Sequence, residues 1–95
     1  MIMTFHEWHD KDEAAGERRY YRAGKFGRKW HVKTTLKSEP DWNDLDPVPR
    51  EVLEALRDLL SNKYQRRRVP WEDVVDVDKL VVASGGESVI ETLEK

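Results

Sequence analysis

The sequence contains no cysteine and no apolar run longer than the four residues Leu80 to Ala83. The first absence excludes a disulfide framework, a thiolate zinc site and a cysteine nucleophile. The second excludes a membrane-spanning helix, which needs about 20 consecutive apolar residues. The opening stretch MIMTFHEWHDKDE has neither the basic nor the apolar region of a secretory signal, so the expectation is a cytoplasmic protein that does not meet a membrane. Also lacking are GxxxxGK[ST], HExxH and any Ser-His-acid set in a recognisable local context. There is no internal repeat and no low-complexity tract. These gaps leave an enzyme as the least favoured class, with no cofactor expected.

What is present is charge. Of 95 residues, 38% are charged and 38% apolar, yet four Trp, three Tyr and two Phe are enough to seed one modest core. The net charge of -2 hides segregation along the chain. Residues 1–17 hold five acids and one Lys, residues 18–37 hold eight Lys and Arg and no acid, and residues 38–49 hold four acids. Residues 61–70 carry four cations, and residues 71–95 carry seven acids against two Lys. Blocks of like charge need partners, inside the chain or outside it.

Residues 1–16 lack a sustained period and read as a mobile or loosely docked acidic arm, with Phe5 and Trp8 as its anchors. From Arg18 the text RRYYRA, GKFG, RKWHVKTTLK reads as a β-hairpin over 18–37. In its second strand Trp30, Val32, Thr34 and Leu36 alternate with Lys29, His31, Lys33, Thr35 and Lys37, the period of a half-buried strand with the second set facing solvent. A turn centred on Lys25-Phe26, with Gly24 and Gly27 as turn glycines, sets Tyr21 opposite Trp30 in the core. The same register sets Arg22 opposite Lys29, Tyr20 opposite His31 and Arg18 opposite Lys33 on the outer face. Arg19 then meets Val32, a poor fit.

Residues 39–49 form a proline-rich connector, with Asp46 as the expected N-cap and Pro47 in the first turn of a helix over 47–62. Val48, Val52, Leu53, Leu56, Leu59 and Leu60 make its apolar stripe, with Arg57 and Ser61 on the polar side. Lys63 and Arg67 would fall in mid-stripe, so the helix either stops near Asn62 or runs past its core. Val69-Pro70 breaks it. Trp71-Glu72-Asp73 reads as a helical turn. In the valine-rich 74–83 Asp76 and Asp78 alternate with valines as in a strand, while Trp71, Val75 and Val82 also fit a helical face. A third strand near 80–83 is favoured because a two-stranded hairpin alone is marginal. Residues 17–84 are thus expected to form a single α+β domain, the hairpin sheet packed on the helix, with 85–95 a frayed tail.

The candidate site is the cationic outer face of the hairpin, Arg18, Tyr20, Arg22, Lys29, His31 and Lys33, together with Arg66, Arg67 and Arg68. Cations suit phosphates and aromatic faces suit bases, so the expected function is a non-catalytic module that binds a polyanion, nucleic acid foremost. The alternative is a protein-interaction or self-association module recognising acidic segments. A blander account has the cations pair with the chain's own acidic flanks, and helix-end cations serve the macrodipole. Two metal readings are weaker: His6 and His9 at i, i+3, and the acids Glu72, Asp73, Asp76 and Asp78 for Mg²⁺. No metal site is expected from either.

Overall fold

A computed structural model of the chain describes residues 5–26, 29–39 and 41–90. It is α+β: a four-stranded antiparallel sheet followed by two helices. The strands are β1 (Phe5–Asp12), β2 (Glu17–Phe26), β3 (Lys29–Leu36) and β4 (Asn43–Leu45), and the helices are α1 (Arg50–Gln65) and α2 (Trp71–Ala83). The chain divides into two compact units, Met1–Pro47 and Val48–Lys95. Among the described residues no helix is long and apolar enough to cross a membrane.

The sheet unit is a meander in the order β1-β2-β3-β4. Its first strand is a correction, because residues 5–12, expected in a mobile arm, pair along their whole length with β2. Within the polar run DKDEAAGE, residues 13–16 are the hairpin turn that makes this possible. Asp12 accepts the Ala15 N–H at 3.0 Å through its side chain and the Gly16 N–H at 2.8 Å through its carbonyl, with Gly16 in the left-handed region at φ 70. The requirement for further strands was sound, but β1 and β4 meet it, not residues 80–83.

The β2–β3 hairpin also corrects the expected register. Tyr21 faces Thr34, Arg22 faces Lys33, Tyr20 faces Thr35 and Arg19 faces Leu36, each partner displaced by four residues. The strands continue through Gly24, Lys25 and Phe26 to a closing pair Phe26–Lys29, so Gly24 is a strand residue, while Gly27, expected as a turn glycine, lies outside the described residues. An even displacement preserves the alternation of faces. The expected sorting into an apolar and a cationic face therefore stands although every pair changed, except that Thr35, expected to face solvent, is buried and donates its hydroxyl to the Asp41 carbonyl at 2.8 Å.

On the apolar face His6, Ala23, Val32 and Thr34 are buried, and Trp8, Tyr21, Trp30 and Leu36 are partly so. The aromatic cross-strand pair is Tyr21 with Trp8, stacked at 5.2 Å, not with Trp30. Arg19, the misfit of the expected register, donates to Asp12 Oδ2 at 2.7 Å and to Thr34 Oγ1 at 3.2 Å. Asp12 is held below the ordinary carboxylate value first by that arginine, then by the Ala15 N–H.

In the helical unit α1 starts at Arg50, not 47, and its N-cap is Pro49 without a side-chain cap bond, so Asp46 does not cap it. At the other end the helix runs past its apolar stripe to Gln65. Residues 71–83 are helix throughout, where a strand was expected near 80–83, because Val74, Val77, Asp78 and Val81 are buried at i, i+3, i+4 and i+7. Packing of that stripe overrides the β preference of valine.

Three helical residues expected to face water are inside: Ser61, expected on the polar side of α1, is buried, and so are Arg57 and Asp78. Arg57 and Asp78 form an ion pair at 2.9 Å with side chains only 7% and 5% exposed. Asp78 also accepts the Val89 N–H at 3.0 Å and the Ser88 hydroxyl at 2.7 Å, and Arg57 donates to the Glu87 carbonyl at 2.8 Å. This network ties residues 87–90 to the helix pair, where a frayed tail was expected; residues 91–95 lie outside the described residues.

Both helices stop in the same way. The Gly86 N–H bonds the Val81 carbonyl and the Gly85 N–H the Val82 carbonyl, with Gly85 at φ 96; the Arg68 N–H bonds the Lys63 carbonyl and the Arg67 N–H the Tyr64 carbonyl, with Arg67 at φ 59. This is the Schellman arrangement, whose left-handed position usually belongs to glycine. Arg67 holds it at a cost on the order of 1 kcal/mol.

Candidate functional site

Antiparallel pairing arranges the second, exposed sheet face in rows. The first contains Phe5, Gly24 and His31; the next Glu7, Arg22, Lys33 and Asp44; the next His9, Tyr20 and Thr35; and Lys11 and Arg18 lie beyond. Phe26 and Lys29 close the other end. All six candidate residues of the hairpin therefore share one face, Arg18, Lys29, His31 and Lys33 exposed, Tyr20 and Arg22 partly covered.

The row Glu7-Arg22-Lys33-Asp44 shows what the charge blocks are for. Arg22 and Lys33 are direct neighbours of like sign, which destabilises a sheet. Each has an acid on its outer side: Arg22 donates to Glu7 at 3.1 Å, and Lys33 lies 3.8 Å from Asp44. The acidic segments before and after the basic hairpin have become its flanking strands. Exposed pairs of this kind contribute about 0–1 kcal/mol each, enough to offset the repulsion without sealing the face. Further along, Glu17 accepts the Ser38 N–H at 2.8 Å and the Ser38 hydroxyl at 3.0 Å, which together hold its carboxyl below the ordinary value. Among the described residues Lys11, Arg18 and Lys29 form no ion pair.

Gly24 carries no side chain at the centre of its row, and a hollow of about 250 Å³ opens there, lined by Phe5, Arg22, Phe26, His31, Lys33 and Asp44. Phe5 is 50% and Phe26 62% exposed, high values for large apolar side chains. Phe26 meets His31 edge-on at 5.9 Å. The Arg22 guanidinium sits 4.5 Å from the Trp42 ring centroid and 5.7 Å from that of Phe5, a cation–π arrangement with both rings. Tyr20, expected with His31 as a stacking residue, meets His9 edge-on at 5.8 Å. Phe5 and Trp42 were not anticipated here. Phe5 could have been placed only by pairing residues 5–12 with β2, and Trp42 had no periodic context.

The metal readings do not converge geometrically. His6 is buried beside Trp30 at 5.9 Å while His9 is on the exposed face, because residues three apart in a strand point oppositely. Asp78 is turned inward to Arg57. Among the described residues no group of three or more His, Asp or Glu could hold a metal ion.

Arg66, Arg67 and Arg68 belong to the other unit, at the turn between α1 and α2, all three exposed. Tyr64 and Trp71 close that turn with rings 4.9 Å apart. Comparison with protein-family models, curated proteins and solved structures gives no match for this chain.

Proposed function

We propose that this chain is a non-catalytic binding module whose exposed sheet face takes a polyanion, single-stranded nucleic acid being the best chemical fit. One observation carries the reading: exposed rings of Phe5, Phe26 and His31 surround a hollow on the same face as Arg22, Lys29 and Lys33. Rings with open faces accept unpaired bases, and the cations beside them accept the connecting phosphates. A duplex hides its base faces and would use only the charges. The hollow is just below the roughly 300–1,000 Å³ of drug-sized pockets, the scale of a single ring system.

A second reading, recognition of an acidic protein segment, is favoured by the carboxylates of Glu7 and Asp44, anions this face already holds. The two are separated by fluorescence anisotropy with a single-stranded oligonucleotide, the matching duplex and a poly-glutamate peptide, at 50 and 200 mM salt. Preference for the single strand supports the first. Equal affinity for poly-glutamate and single strand would sink it in favour of the second.

A further inference from the structure

The α1–α2 turn carries an arginine where backbone chemistry asks for glycine. The equivalent stop of α2 has Gly85 at the left-handed position and makes the same pair of backbone bonds. Arg67 satisfies the same geometry against the steric preference of its Cβ, and a strained conformation of this kind is kept where its side chain is used. Among the described residues no hydrogen bond or ion pair uses its side chain. Among the described residues Arg66, Arg67 and Arg68 form no ion pair.

Around this turn lies a hollow of about 590 Å³ lined by Tyr64, Gln65, Arg67, Arg68, Val69 and Pro70, with no carboxylate among them. Two guanidinium forks, each with five donors, suit the oxygens of a phosphate group. The end of a helix would normally repel an anion through its bare carbonyls. Here the Lys63 and Tyr64 carbonyls are already occupied by the N–H groups of Arg66, Arg67 and Arg68. The helix stop thus lessens the obstacle at these two carbonyls and presents the arginines in one step.

We propose that the α1–α2 turn is a phosphate-binding site in which Arg67 and Arg68 grip one phosphate group, with Arg67 retained at the left-handed position for its side chain. The site is separate from the sheet face and rests on the nucleic-acid reading only for the source of the phosphate, a phosphodiester or a free phosphate. The test is an NMR titration of the full chain, following backbone amides of residues 64–70 and arginine Nε–H signals. Pyrophosphate alone is added first, then, in a second sample, a single-stranded oligonucleotide.

Pyrophosphate is expected to shift signals at 64–70. Arg67→Gly should raise the melting temperature by about 2–6 °C, since relief of modest strain moves a domain of this size by several degrees. The same variant should weaken pyrophosphate binding at least fivefold while oligonucleotide-induced shifts at Lys29 and His31 persist. Absence of pyrophosphate shifts at 64–70, or an Arg67→Gly variant that binds as tightly as the parent, overturns the proposal. Shifts at 64–70 with none on the sheet would support this site and count against the sheet-face function.

Discussion

Replacing Asp78 by alanine strands Arg57 in the helical unit, and the cost can be worked from the contacts. The Arg57 side chain is only 7% exposed, and among the described residues it would keep only the Glu87 carbonyl at 2.8 Å. Breaking a buried pair by removing one partner costs about 3–5 kcal/mol, because the remaining charge is uncompensated. The Val89 N–H and Ser88 hydroxyl lose their acceptor as well. For a chain whose total stability is on the order of 5–15 kcal/mol this is a large fraction. In urea, with a slope of about 1–1.5 kcal/mol per molar, the midpoint of the helical ellipticity at 222 nm should fall by roughly 2–5 M. Replacing both partners, Arg57→Met with Asp78→Leu, should recover most of the loss.

The same pair sets an acid limit. Burial pushes the Asp78 pKa up, but the Val89 N–H, the Ser88 hydroxyl and Arg57 outweigh it, so the carboxyl titrates below its ordinary 3.8. A depressed folded pKa contributes stability above the unfolded value and loses it as pH falls through the folded one. Wild type should therefore lose more stability than Asp78→Asn on acidification below about pH 4, by at most about 1.4 kcal/mol per pH unit. A midpoint change under 0.5 M for Asp78→Ala, or parallel acid profiles for wild type and Asp78→Asn, would refute the reasoning.

Other consequences are as direct. At Gly86 an added Cβ would lie 2.5 Å from Val81 Cγ1 and 3.2 Å from Arg50 Cδ, so Gly86→Ala should destabilise by about 1–3 kcal/mol in thermal unfolding. Glu7→Gln frees Arg22 from its carboxylate and should tighten oligonucleotide binding two- to fivefold at low salt, as measured by anisotropy, with the gain shrinking at high salt. Phe26→Ala removes an exposed stacking surface. It should weaken single-strand binding by about 1–3 kcal/mol with little effect on stability, read by anisotropy and melting in parallel.

How much was legible in the sequence follows from which forces are local. The period-2 alternation of 29–37 sorted the cationic face correctly because facing depends on parity, and an even slip of register leaves parity alone. The pairing itself was not legible, since it depends on Phe26 and Lys29 closing the ladder. Residues 5–12 read as an arm because each half of FHEWHDKD looks irregular alone; its order comes from Trp8 stacking on Tyr21 and Glu7 reaching Arg22. Arg57 and Asp78 carried a signal that was available. Asp78 interrupts the stripe of Val74, Val77 and Val81, Arg57 adjoins Leu53, Leu56 and Leu60, and an acid and a base each set within an apolar stripe can only be buried together. The arginine run showed its charge in the sequence, but the left-handed turn at Arg67 is a property of how α1 ends.

The sheet-face function is tested most directly by a per-residue NMR titration of the full chain with a single-stranded oligonucleotide and its duplex at low and high salt. Shifts centred on Phe5, Arg22, Phe26, Lys29, His31 and Lys33, larger for the single strand and fading with salt, are the expected result. An exposed sheet face whose signals stay still with the single strand at low salt would contradict it.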